Sequence, residues 1–552
     1  MVGMIAATEA RGQDDSKQAP TASVGQASQR SRLSGRQVAP RTAPSVAPVT
    51  SPAPAPAPAP EPSGPPAGLP PLPKGDAKPA LADSAIVRTQ GGLQNQVSYL
   101  NQGNVDVGSE ADLSYLRRLI NSYRDEPTEP EPENPNAPPS RRGLPAPFQA
   151  PPMPFSDFIG PTLGVNDTSV FPIMDAFYKG PNGQFWKNSR LKISGWFDPS
   201  YNASTSRNSN IPLAYNIVPN KLELSQVILS LERTIDTVQQ DRFQWGFKFN
   251  SLYGIDYRYT LGKGYFSDQL LKRNHLYGYD PIQLFVDFYF PKIFQGSILR
   301  IGRYISPLDI EAQFSPDNFL YTHSLMYTYD PYTFSGIQSI NRINDNFWFQ
   351  LGVHAGNDMA VWTTSSQVNG EILLKWVAPN NKDSLYGGID SIGHGYYKNG
   401  HDNLQVFGFT WSHKFNDKFT TMTEQYYIWQ RQALQGGTVT LGNPHPYFPG
   451  VGPGKLLPGL SQSFGIVNYT SYILDDKSLL VFRSDCLADF NGQRTGIPGA
   501  YFEHTLGYVR HLTSWAILRP EIRLDYTSGQ KGYDNGTKRE MFTFNTDLII
   551  RF

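Results

Sequence analysis

Cysteine is almost absent from this chain of 552 residues, where Cys486 stands alone. A single thiol excludes an internal disulfide framework, and no CxxC or Cys/His spacing offers structural zinc. Net charge is absent too, with 48 Lys and Arg against 48 Asp and Glu, which argues against a dedicated nucleic-acid binder and its basic stripe. Charged residues make up only 17% of the chain, below the roughly 25% of soluble domains. No run of about 18 apolar residues occurs, so no transmembrane helix is supported. Neither GxSxG nor HExxH is present, and none of the nine His stands in a catalytic constellation. No catalytic residue, metal or cofactor is therefore expected. One membrane architecture survives these exclusions: a β-barrel, whose alternating strands keep mean hydropathy low.

Proline, glycine and aromatics are plentiful, with 46 Pro, 49 Gly and 13% Phe, Trp and Tyr. Most of the proline lies in residues 1–85, an Ala/Pro-rich tail that reaches strict Pro-Ala alternation from Pro52 to Pro60. Such a segment buries too little apolar surface to offset its ordering entropy, so a disordered or polyproline tail is expected. An island at 86–125 carries Leu93, Val97, Leu100, Leu113, Leu116, Leu119 and Ile120, a spacing that suggests one or two amphipathic helical turns. It reads as a transient helix, a periplasmic oligomerisation helix or a plug. A second Pro-rich stretch, 126–169, follows as a linker. Met1 to Ala7 shows neither the basic n-region nor the apolar h-region of a secretory signal, so the start is expected to be mis-assigned or to lie upstream.

From about residue 187 the texture changes to segments of alternating polarity separated by Gly, Asn, Asp and Pro turns. In Phe243 to Tyr259 the odd positions Phe243, Trp245, Phe247, Phe249, Tyr253, Ile255, Tyr257 and Tyr259 are apolar or aromatic, while Gln244, Lys248, Asn250, Asp256 and Arg258 are polar. A period of two predicts one long strand with two faces of opposite character. The pattern recurs in Ile282 to Phe290, Phe347 to Val353 and Leu518 to Tyr526, giving about 16 strands (range 14–18), with Ser324 to Ile343 ambiguous. A soluble sandwich also alternates. Long strands, and aromatics near strand ends (Trp196-Phe197, Tyr257, Tyr259, Tyr426-Tyr427 with Trp429, Tyr526), favour a barrel in lipid with interfacial girdles. The chain ends MFTFNTDLIIRF, placing Phe544, Leu548, Ile550 and the terminal Phe552 on one face. This resembles the assembly signal of bacterial outer-membrane barrels and implies the barrel-assembly machinery and outer-membrane lipid as partners.

SGWFDPSYNASTS (194–206), NKLELSQVILSLERTID (220–236), WGFKFNSLYGIDYRYT (245–260), YGYD (277–280), VDFYFPK (286–292) and LRIGRY (299–304) together resemble the OmpL-like putative beta-barrel porin family. The resemblance covers roughly residues 170–552. It implies an all-β, antiparallel transmembrane barrel in the bacterial outer membrane. The implied activity is a water-filled channel for passive diffusion of small hydrophilic solutes or ions. By analogy with porins of this size, a homotrimer is expected.

Sixteen strands leave room for an aqueous channel, so function is expected on inward residues. Alternation places Lys248, Asp256, Arg258, Asp287, Arg483, Asp485, Arg519, Glu521, Arg523 and Asp525 on the pore wall. Five bases against five acids predict weak net ion selectivity. Arg300 and Arg303 have opposite parity, so both cannot point inward. The connection Gln432 to Ser461 is broken by Pro and Gly and reads as a lid, a constriction loop or a plain surface loop. Cys486, with Leu480, Phe482 and Ser484 on the face opposite Arg483 and Asp485, is expected on the lipid face. Rival readings are an outer-membrane barrel enzyme, a soluble β-rich binding module, and an envelope tether in which the tail contacts the cell wall.

Overall fold

The computed structural model describes residues 107–124, 163 and 170–552, apart from 214, 238, 381, 417, 438–453 and 476. The expected tail at 1–85, most of the linker and residues 86–106 of the island lie outside the described residues. Seventeen strand segments follow one another. They are β1 (Leu191–Ser204), β2 (Leu222–Arg233), β3 (Gln244–Gly254), β4 (Gly278–Phe290), β5 (Ser297–Ile305) and β6 (Thr333–Arg342). Next come β7 (Phe347–Asn357), β8 (Asn369–Val377), β9 (Asp383–Ile392), β10 (Gln405–Lys414), β11 (Phe419–Arg431) and β12 (Leu460–Asp475). The last are β13 (Ser478–Asp489), β14 (Gly499–His511), β15 (Ala516–Leu518), β16 (Glu521–Thr527) and β17 (Glu540–Arg551).

Apart from β15 and β16, which do not pair with each other, each segment pairs antiparallel with its neighbours in sequence, and β1 pairs with both β2 and β17, closing the sheet. The β15 and β16 segments are two halves of one stave between β14 and β17, so the barrel has sixteen staves. Leu518 to Tyr526, expected as one strand, is interrupted at Pro520, which has no N–H to give the ladder. Its carbonyl still accepts from Tyr508 N at 2.9 Å, which keeps the two halves in line.

The rims differ. The one that carries both barrel ends has short turns, such as 343–346, 415–418 and 476–477. These are closed by an Asx device read directly from sequence. Asn344 Oδ1 accepts from Asn346 N at 2.8 Å and Phe347 N at 3.0 Å. Asn416 Oδ1 accepts from Lys418 N and Phe419 N at 2.9 and 3.0 Å, and Asp475 Oδ1 from Lys477 N at 2.8 Å. The long connections (205–221, 255–277, 306–332, 432–459) all leave the opposite rim.

Polarity is inverted relative to a soluble fold. Along β16, Ile522 and Leu524 are 46% and 41% exposed, while Glu521, Arg523 and Asp525 are at most 2% exposed. The outer face of β17 carries Phe542 and Phe544, both exposed, and continues through half-buried Leu548, Ile550 and Phe552. Cys486 lies half-buried on this outer face, opposite in parity to buried Arg483 and Asp485.

Several aromatics depart from the expected girdle. The β3 strand stops at Gly254, because Ile255 N and Asp256 N turn back to Leu224 O and Ser225 O of β2. Tyr257–Thr260 then forms a helical turn, and Tyr257 and Tyr259 are buried. Trp196 faces inward onto Phe314, with ring centroids 5.3 Å apart, and Tyr426 is buried. Phe197, exposed, and Tyr427, Trp429 and Tyr526, half-buried, keep the outward side. Ile282, read with the apolar face of β4, is buried instead, beyond a bulge at Asn250/Leu252.

Among the described residues three helices precede the barrel: α1 (Tyr115–Arg124), α2 (Pro172–Tyr178) and α3 (Gly183–Ser189). The first is clamped to the second by Ser122 Oγ donating to Asp175 Oδ2 at 2.6 Å and Arg118 Nε to Ala176 O at 2.8 Å. It is fastened to the short-turn rim by Trp515, whose Nε1 donates to Tyr123 O at 3.1 Å and whose ring meets Tyr123 edge-on at 5.0 Å. Tyr123 Oη also donates to Arg551 O at 3.3 Å. Trp515→Ala removes an aromatic pair and a hydrogen bond, together about 1.5 kcal/mol, or roughly tenfold in the population of the detached helix. Limited trypsinolysis should show cleavage at Arg118 accelerated by that order, with the barrel itself still resistant.

Candidate channel constriction

The ambiguous stretch begins inside the longest fully buried connection of the barrel. Residues 306–332 link β5 to β6, and every residue but Asp317 is buried. The strands on either side are already joined beneath it, since Ile305 pairs with Thr333 and Ser306 N donates to Tyr332 O at 3.0 Å. The segment is therefore an excursion into the barrel, off a hairpin that closes without it. Its one helical turn, Leu325–Thr328, is capped by Ser324 Oγ, which accepts from Tyr327 N at 3.0 Å.

Its backbone is held by wall residues named above from alternation alone. Arg519 Nη1 donates to Ser315 O and Asn318 O at 2.7 and 2.8 Å, while its Nε donates to Asp547 Oδ1 at 3.0 Å. Arg483 donates to Thr322 O and, through Nε, to Glu503 Oε2 at 2.9 Å. Arg523 donates to His323 O and forms a two-pronged pair with Asp525 at 2.8 Å. Glu521 accepts from Tyr321 N at 3.1 Å and Thr322 N at 3.3 Å, and Asp485 accepts from Leu325 N. Asp256 accepts from Gln226 Nε2 at 2.9 Å, and the same amide donates to Gln313 O at 2.7 Å. Hydrogen bonds to charged groups contribute about 1.5–3 kcal/mol each when buried, so this wall fixes the segment firmly.

The opposite wall holds it through neutral groups and two carboxylates. Tyr386 Oη donates to Asp309 O and Tyr426 Oη to Met326 O, both at 2.8 Å. Ile310 N donates to Glu424, and Ser306 Oγ to Asp390 Oδ2 at 2.8 Å. Within the segment, Glu311 joins His323 Nδ1 at 2.7 Å and accepts from Tyr469 Oη at 2.8 Å. Burial above all, with the neighbouring acids, pushes Asp309 and Asp330 well above the ordinary carboxylate range.

Apolar contacts complete the seat. Leu308, Ile310, Phe319, Leu320, Leu325 and Met326 join one buried cluster with wall residues such as Leu373, Val406, Val467 and Val509. Glycines on the inner face make the room. A Cβ at Gly408 would lie 2.8 Å from Leu308, at Gly465 2.7 Å from Met326, and at Gly507 2.2 Å from Leu320.

The remaining candidates are placed differently. Asp287 is paired with Arg300 Nε and Nη2 at 2.9 and 3.1 Å. Arg300 and Arg303 are both buried despite their parity. Arg303 shares a face with exposed Leu284 through register, and loop 255–277 covers it, Thr260 O accepting from its guanidinium. Arg258 is held within that loop by His275 O and Asn274 Oδ1 at 2.6 and 2.7 Å, because β3 ends before it. Lys248 lies 3.4 Å from Glu232, with its side chain 34% exposed. The centre of the connection Gln432 to Ser461 lies outside the described residues, and the segment seated in the lumen is 306–332. Sequence reasoning passed it over because it has no period. Its signals were length and the mid-strand glycines facing it.

The family model for putative beta-barrel porin-2, OmpL-like, matches residues 190–552. No curated protein matches the chain. Among solved structures it is similar to OprB of Pseudomonas putida (11% identity, 68% of this chain, 98% of that one, TM-score 0.41). It is also similar to the outer membrane channel DcaP of Acinetobacter baumannii (7%, 66% and 97%, TM-score 0.40). A third is an anion-selective porin from Comamonas acidovorans (11%, 66% and 99%, TM-score 0.39).

The glycine seats give a test of packing. Gly507→Val drives a branched side chain into Leu320 and should destabilise the folded barrel by about 1–3 kcal/mol. Adding Leu320→Ala should recover part of that loss. The temperature at which the barrel loses its compact mobility on a detergent gel measures both.

Proposed function

The chain belongs to the putative beta-barrel porin-2, OmpL-like family and is a porin of the bacterial outer membrane, and on that premise we propose that residues 306–332 set what it passes. In outer-membrane barrels short turns face the periplasm and long loops the exterior, so the segment enters from the outside and descends into the lumen. The observation that carries the reading is its burial between two walls of inward side chains, bonded to both. A pore narrowed this way passes small hydrophilic solutes or ions and excludes larger ones. The wall residues Arg483, Asp485, Arg519, Glu521 and Arg523 act here by positioning the segment, and Asp525 and Asp287 are paired with Arg523 and Arg300. By analogy with porins of this size, the working assembly is a trimer in outer-membrane lipid.

The hairpin geometry supplies the experiment. Replacing residues 307–331 with a short Gly-containing turn leaves the Ile305–Thr333 pair to close the hairpin. Single-channel conductance in planar bilayers should then rise several-fold, about threefold or more, towards that of an open sixteen-stranded barrel. An unchanged conductance would remove the segment from the constriction. Silence of both proteins, with insertion demonstrated, would remove the channel reading.

A further inference from the structure

Among the described residues of the barrel, buried carboxylates outnumber buried Lys and Arg two to one, twenty against ten. Part of the excess, Asp198 on β1, Glu223 on β2 and Asp256 after β3, lies beside the barrel seam, and part lies across the lumen from the arginines. The wall formed by β13 to β17 carries Arg483, Arg519 and Arg523, each bound to a carboxylate and to a carbonyl of the segment. Their charge is already occupied. The facing quadrant carries Glu371 on β8, Asp390 on β9 and Glu424 on β11, with Asp309 and Asp330 of the segment set against them. All five are at most 6% exposed, and no salt bridge among the described residues involves any of them. The buried cations on their flank are Arg300, which pairs with Asp287, and Lys375 of β8, which lies over the Trp348 ring at 5.3 Å.

A second observation points from this group to a ligand. Both carboxylate oxygens of Asp330, Oδ1 of Asp390 and Oε2 of Glu371 have no hydrogen-bond partner, although each residue is more than nine-tenths buried. Buried carboxylates without a counter-charge are costly and are held protonated, as burial holds Asp309 and Asp330, until a cation beside them stabilises the ionised form. The spacing does not gather three of them into a chelating group. That is the arrangement conduction needs: several weak acidic stations instead of one tight site, so that an ion enters and also leaves.

Resting on the channel reading above, we propose that this porin is selective for small inorganic cations, and that Glu371, Asp390 and Glu424 with Asp309 and Asp330 line the cation's path.

The test is the zero-current potential of the full-length protein in a planar bilayer across a KCl gradient. The expected sign is that of a potassium-permeable pore, with potassium favoured over chloride by about threefold or more, as rings of acidic side chains produce. Asp390→Asn with Glu424→Gln should bring the ratio close to one. Asp309→Asn with Asp330→Asn, changed in the segment and not in a strand, should do the same where the wall variant fails to give a heat-modifiable barrel. Chloride preference or no preference in the unaltered protein overturns the inference while leaving the channel intact. A cation preference unaltered in a folded variant overturns the assignment of these residues. Absence of any current overturns the channel reading and this inference together.

Discussion

Everything in this structure depends on satisfying backbone N–H and C=O groups where no water can do so. In hydrocarbon an unpaired peptide group costs several kcal/mol, and a sheet with free edges has a row of them. The chain removes its edges by bringing its first and last strands together, from Trp196 against Arg551 to Ser204 against Thr543. Gly195 and Phe552 extend the seam with a reciprocal pair of hydrogen bonds. Even the proline in the fifteenth stave is tolerated only because the strands on both sides pair with each half of it.

Closure then dictates the distribution of side chains. With lipid outside, the exposed face is the apolar one, and polar groups are confined to the interior, where each requires a partner. Sixteen staves enclose more space than their own side chains fill. Residues 306–332 occupy part of it and supply carbonyls and amides to the wall. The same bonds satisfy buried arginines and hold the segment in place, so the filling of the lumen and the neutralising of its charge are one solution. Glycines at 408, 465 and 507 belong to it, because each gives up a side chain where the segment brings one.

The staves were legible because a period of two survives wherever one face meets lipid and the other does not. MFTFNTDLIIRF is the clearest case, with Phe542, Phe544, Leu548, Ile550 and Phe552 outward and Met541 and Ile549 the apolar residues of the inner face. The reading failed where local pattern and long-range contact diverge. Tyr257 and Tyr259 continue the alternation of β3 in sequence, yet the backbone turns at Gly254 and buries them. Pro and Gly mark Gln432 to Ser461 as a loop, whose centre lies outside the described residues. Residues 306–332 carry no such mark, and their partners are remote: Tyr321 meets Glu521, and Thr322 meets Arg483. No periodicity within a short window encodes a contact of that kind.

The same divergence separates the charge balance read from strands from the full set of buried charges. Alternation finds acids and bases best on regular strands such as β16, where Arg519, Glu521, Arg523 and Asp525 cancel. It does not find Asp309 or Asp330, which lie on no strand, nor Asp390, which follows the glycine pair Gly387 and Gly388. Those unseen residues are acidic. Arginines, in contrast, are prominent in sequence but neutralised in place, since a buried guanidinium is stable only when its fork is filled by carboxylates and carbonyls. What a permeating ion meets is the remainder after internal pairing. In this lumen that remainder is acidic, with Asp198, Glu223 and Asp256 on the side of β1 to β3 and Glu371, Asp390 and Glu424 on β8 to β11.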